Sequence, residues 1–102
     1  MNTAQVVKIA KALADPTRHR ILERLRAQRE LTCSDICGLC DQSQPTISHH
    51  VKTLVEAGIV GMRREGQYHI LTLNDDVLSA FGEAVGGKPR PRRKARAKAA
   101  AR

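Results

Sequence analysis

Apolar positions recur along the first half of the chain at intervals of three and four, and this spacing predicts a run of short amphipathic helices. In residues 4–14, Val6, Ile9, Ala10 and Leu13 fall at helical spacing, with Val7 and Ala14 on an adjacent side. A helix apolar on two sides is expected to pack twice, once on its own domain and once on a partner. The segment "DPTRHRILERLRA" predicts a second helix with Ile21, Leu22 and Leu25 inward, Asp15 as N-cap and Pro16 at the first helical position. Thr32 followed three residues later by Asp35 resembles a capping box, and it opens a short third helix expected to run through Cys40.

After the polar turn "DQS", Ser43 can cap a fourth helix with Pro45 in its first turn, running to about Ala57. Gly58 stands where a helix C-terminus favours a left-handed residue. Beyond it the period changes. Two partly alternating runs, Val60–Arg64 and Gln67–Leu73, flank Glu65-Gly66, which is a hairpin signal. Asn74, Asp75 or Asp76 can cap a last helix through about Val85. The expected fold is therefore mainly α with a small β-hairpin, in the order α-α-α-α-β-β-α. A hairpin directly after a helix-turn-helix is a wing, so this is a winged helix-turn-helix.

Charge divides the chain. The formal net charge is +8, and residues 86–102 hold eight basic side chains and no acidic one. Residues 1–85 are then expected to form the one folded domain, neutral in sum, and 86–102 a disordered basic tail. So basic a balance points to a polyanionic partner. No apolar run is long enough for a membrane span, and the N-terminal residues carry no cleavage signature. The odd count of three cysteines speaks against a paired disulfide framework, and the expected location is cytoplasmic. Two aromatic residues, Tyr68 and Phe81, are too few for base-stacking platforms. No nucleophile–base pairing or glycine-rich phosphate loop is present, so an enzyme is not expected.

In the fourth helix, steps of about 100° per residue put Ile47, Val51 and Leu54 on one narrow arc. Thr46, His49, Lys52, Thr53 and Glu56 lie opposite, and Ser43, Gln44 and Thr46 crowd the first turn. Short polar side chains at the leading end suit a recognition helix in the major groove of double-stranded DNA. Glutamine can bond adenine through two contacts, and serine, threonine and neutral histidine serve as donor or acceptor. The helix N-terminus and Lys52 suit phosphates. In the hairpin, Arg63, Arg64 and Gln67 surround the tip, within reach of a backbone or minor groove.

Together "ALADPTRHRILERL", "DQSQPTISHHVKTLVEAGIV" and "REGQYHILTLN" resemble the ArsR/SmtB family of bacterial winged-helix repressors over about residues 4–80. The resemblance implies a homodimer joined through its first and last helices and bound to an inverted-repeat operator. It also implies release by an inducer, often a metal or metalloid ion. Ser43, Gln44, Thr46, Ser48 and His49 match the family's DNA-reading positions, and Arg63 and Arg64 match its wing.

The stretch "TCSDICGLC" holds Cys33, Cys37 and Cys40. Arsenic-sensing members of the family carry Cys-Val-Cys-Asp-Leu-Cys here, and only Cys37 falls on one of those ligand positions. In a continuous helix the three cysteines share one side, with neighbouring pairs about 5–6 Å apart at Cβ. The rise from Cys33 to Cys40 is roughly 10.5 Å, too far for both to hold one arsenic in a straight helix. Three readings follow: core packing, above all for Cys40; an As(III) or other soft-metal site on Cys33 and Cys37; and reversible thiol oxidation. No cofactor is required by any of them. The last helix offers Asp75, Asp76 and Glu83 but no histidine for a zinc site. His19 is expected at the surface or packed on its helix, and His50 and His69 as packing residues. An alternative to the operator-specific repressor is a non-specific, DNA-compacting basic protein dominated by its tail.

Overall fold

A computed structural model describes residues 1–87. It comprises α1 (Thr3–Leu13), α2 (Pro16–Gln28), β1 (Glu30–Thr32), α3 (Cys33–Leu39), α4 (Gln44–Glu56), β2 (Val60–Glu65), β3 (Tyr68–Leu73) and α5 (Asp75–Gly86). The expected disordered tail lies outside the described residues from position 88 onward; of its first two positions, Gly86 ends α5 and Gly87 is its C-cap.

The helix boundaries follow from their caps. Asn2 and Gln5 form a capping box at α1, and Thr32 and Asp35 form another at α3. Asp15, Ser43 and Asn74 each accept the N–H of the residue three further on. Such bonds satisfy N–H groups that a helix leaves without partners. Gly58 has φ +87°, and the sharp stop there turns the chain from α4 into β2.

Four features differ from the sequence-based expectation. The hairpin is joined by a third strand: β1 pairs antiparallel with β3, giving the order β1-β3-β2. Three residues are too few to show alternation, and "ELT" is a strand because the outer edge of β3 is open to pair with it. The hairpin turn is Gly66-Gln67 rather than Glu65-Gly66, since Glu65 pairs with Tyr68. Gly66 has φ +62° and Gln67 is not in the left-handed region, as in a turn that wants glycine first. In α1 the buried residues are Ile9 and Ala12, while Ala10 is exposed. Ala10 falls on the ridge with Val7 and Ala14, away from the side that docks. Finally, α3 ends at Leu39, and Cys40 is an extended C-cap.

One core joins every layer: Ile9 of α1, Ile21, Leu22 and Leu25 of α2, Leu31 of β1, Ile36 and Cys40 around α3, Ile47, Val51 and Leu54 of α4, then Ile59, Val60 and Leu71. Residues of α5 contribute only half-buried side chains, Val77, Leu78 and Phe81 among them.

Candidate nucleic-acid interface

The direction in which α4 faces is set by its buried stripe. Ile47, Val51 and Leu54 are almost fully buried, so the opposite side of the helix is forced outward. Gln44, Thr46, Ser48, His49 and Lys52 are all exposed, as is the N-cap Ser43. Ser43 accepts the Thr46 N–H at 3.4 Å, and its hydroxyl donates to Thr46 Oγ1 at 3.0 Å. Thr53, expected on the outer side, is half-buried, and its hydroxyl donates to the His49 carbonyl at 3.1 Å.

Two side-chain bridges hold α4 against α2. Gln42, in the turn before α4, donates from Nε2 to the buried Thr17 Oγ1 at 2.8 Å. Arg18 donates from Nε to the Ala12 carbonyl at 2.6 Å and from Nη2 to the Lys11 carbonyl at 3.3 Å, and its Nη1 lies 3.0 Å from His50 Nδ1. Asp15 Oδ2 is 3.8 Å from the same His50 nitrogen. The Asp15 carboxyl is held below the usual carboxylate range, chiefly by the Arg18 N–H that it accepts; burial opposes this, and the charges of His50 and Arg18 add to it. His50 is thus a packed, hydrogen-bonded residue, as expected. Thr17, Arg18 and Gln42 are positioning residues that sequence reasoning missed; their only signal was the polar residues within "DPTRHRIL" and "DQS".

In the sheet, alternate side chains point to opposite faces. The register puts Leu31, Val60 and Leu71 on the inward face, and Met62, Arg64 and His69 continue it toward the tip. Glu30, Arg63 and Glu65 lie on the other face. The two wing arginines therefore point apart. Arg63 is held by a two-pronged pair to Glu30, at 3.1 and 3.3 Å, and by Glu65 Oε2 at 2.9 Å. These carboxylates raise its pKa further above an already high value. Arg64 makes one long contact, from Nε to the Gly66 carbonyl at 3.4 Å. Gln67 sits exposed in the turn. Met62 and His69 share a groove with Ser48 and Lys52 of α4, so the inward face of the wing and the outward flank of α4 border one another. His69, expected as a packing residue, is exposed there. His19 is a surface residue, 3.8 Å from Glu23.

The cysteines separate. Cys40 is buried in the core, whereas Cys33 and Cys37 are half-buried in α3. Burial first, and then the charge of Cys37, push the Cys33 thiol up. Among the described residues no group of three or more His, Cys, Asp or Glu side chains is arranged to hold a metal ion. A three-thiolate site within this chain is not built, because the helix stops before Cys40 and the core takes that thiol. No helix of the described residues is long and apolar enough to cross a membrane.

Residues 13–63 match the family model of a helix-turn-helix domain. The transcriptional repressor SdpR of Bacillus subtilis is 39% identical over 70 residues, covering 69% of this chain and 77% of that protein. The arsenical resistance operon repressor of Staphylococcus xylosus is 37% identical over 89 residues, covering 81% of this chain and 79% of that one. Among solved structures, the homodimeric winged helix-turn-helix DNA-binding domain of a possible ArsR-family regulator from Mycobacterium bovis superposes with a TM-score of 0.68 at 28% identity, covering 87% of this chain and 89% of that one.

Proposed function

This chain belongs to the ArsR/SmtB family of winged helix-turn-helix transcriptional repressors, and we propose that it works in the cytoplasm as a homodimer on an inverted-repeat operator. The observation that carries this reading is the shared outlook of α4 and the wing. Ser43, Gln44, Thr46, Ser48 and His49 form the base-reading edge, and Lys52 serves a phosphate. Arg64 and the tip residue Gln67 extend the contact from the wing. Arg63, tied to Glu30 and Glu65, acts in supporting the sheet more than in contacting DNA.

The dimer is proposed to form through α1 and α5. Val7 is 44% exposed on the ridge of α1, and Val85 is 59% exposed on α5, a helix with no buried residue. Two such faces brought together would bury apolar surface that a chain of this size leaves in water.

An inducer acting at Cys33 and Cys37 is the second half of the proposal, prompted by the arsenical resistance relative. The pair offers two thiols, and among the described residues no third donor is grouped with them. It suits a soft ion that accepts two thiolates, or an oxidant that joins them.

Selection from a random duplex pool tests the main reading, followed by salt titration of the full chain and of residues 1–87. Enrichment of an inverted repeat that both forms bind is expected. Binding that needs residues 88–102 and enriches no sequence would instead establish the non-specific, tail-driven alternative. For the inducer, arsenite, Cd²⁺ and a mild oxidant are titrated against the operator complex of wild type, Cys33→Ser and Cys37→Ser. Release that depends on both thiols is expected; release indifferent to both removes them from the mechanism.

A further inference from the structure

The inward face of the sheet continues beyond the core. Leu31, Val60 and Leu71 on that face are buried, yet Met62, next along β2, is 49% exposed. Across from Met62 runs the flank of α4 bearing Val51 and Val55, and the space between is a groove of about 470 Å³. That volume falls within the range of small-molecule sites. Cys33, from the first turn of α3, also lines it.

The chemistry of this lining selects an apolar guest. Burial pushes the Cys33 thiol up, which favours its neutral form, and its sulfur adds a small, polarizable apolar surface to the groove. Val51 and Val55 offer branched, stiff aliphatic walls. Met62 is unbranched and polarizable, adapts to irregular shapes, and makes favourable contacts with aromatic rings. No Phe, Tyr or Trp lines the groove, and Tyr68 lies on the opposite face of the sheet. His69, Ser48, Lys52 and Glu56 stand at the rim as polar groups, with Lys52 Nζ 4.0 Å from Glu56 Oε2, so the charges there offset one another and the apolar walls set the guest.

We propose that the groove between α4 and the wing is a binding site for a small, planar aromatic molecule seated on Val51, Val55 and Met62. Ser48 and Lys52 belong both to its rim and to the α4 surface assigned to DNA, so an occupant competes with the duplex. That competition rests on the operator-binding reading above, whereas the binding itself does not.

The probe is N-phenyl-1-naphthylamine, a neutral aromatic whose emission rises in apolar surroundings, titrated into the full chain without DNA. Saturable binding of one probe per chain is expected. Met62→Glu, a change at an exposed position that should leave the fold and its circular dichroism intact, weakens it about tenfold or more, equivalent to roughly 1.4 kcal/mol. Val85→Glu, which puts the same charge on the apolar face of α5, leaves it unchanged. Saturating probe also slows alkylation of Cys33 by iodoacetamide several-fold, read by peptide mass mapping. Equal probe affinity in wild type and Met62→Glu, or loss only in Val85→Glu, overturns the site. With a selected duplex present, the probe is expected to lower DNA affinity several-fold. A probe that binds in the Met62-dependent way but leaves DNA affinity unchanged overturns the competition alone, and a chain that selects no sequence at all overturns the operator reading instead.

Discussion

The Arg18 guanidinium lies 3.0 Å from Nδ1 of His50, a residue 32 positions further along the chain. The same side chain donates to the last carbonyls of α1, so one arginine joins α1, α2 and α4. Because His50 follows directly on the outward His49, this junction sets the angle at which α4 presents its polar side.

Arg18→Lys should therefore behave as a damaging change. A lysine ammonium cannot reach three acceptors in a planar fork. Loss of these charge-assisted bonds is expected to cost about 1–3 kcal/mol in urea unfolding. DNA affinity should fall further than stability alone accounts for, because α4 loses its brace.

Acid should weaken the same junction. The Asp15 carboxyl titrates below its ordinary range in the folded chain, chiefly through the Arg18 N–H. The folded form then binds fewer protons there than the unfolded form at mildly acid pH. Its contribution is whole above the unfolded value of about 4 and is lost as pH falls through the lower folded value. Asp15→Asn keeps a capping side chain but cannot titrate. The stability gap between wild type and Asp15→Asn, followed by chemical unfolding from about pH 6 downward, should shrink below about pH 4. A gap constant across that range would contradict the assignment.

The two wing arginines should separate cleanly. Arg64→Ala is expected to weaken operator binding and reduce the slope of log affinity against log salt by about one phosphate contact. Arg63→Ala should leave that slope nearly unchanged. Its cost should appear in unfolding and be small, as befits an exposed ion pair. Anisotropy titrations over a salt series distinguish the two.

A charge on α5 should act on association alone. Val85 is exposed within one chain, so Val85→Glu should leave the circular dichroism of the subunit intact. Sedimentation equilibrium should show a weaker dimer, and operator affinity should become steeply dependent on protein concentration.

The cysteines should also part company. Cys40→Ser puts a hydroxyl into the core and should cost about 1–3 kcal/mol. Cys33→Ser, at a half-buried position, should cost less than Cys40→Ser. Parallel denaturant curves, taken with reductant present, measure both.

Much of this architecture was legible without coordinates because its signals act over a few residues. Asp15-Pro16, Thr32 with Asp35, and Ser43-Gln44-Pro45 announce three helix starts through side-chain bonds to N–H groups three positions on. The stripe Ile47, Val51, Leu54 was readable from the helical period and decided which side of α4 faces out. Tertiary structure alone decided the rest. The three residues of β1 have no period to read, and they form a strand because β3 offers an edge. Adjacent Arg63 and Arg64 look alike in the chain; the pleat sends them to opposite faces, and Glu30, 33 residues away, captures one of them. Likewise, the Arg18–His50 contact and the groove beside Met62 arise where separate elements meet. Local hydrogen bonds and periodicity specify the elements of this protein, while burial and strand register, which depend on what packs against them, determine which polar side chains are left free to act.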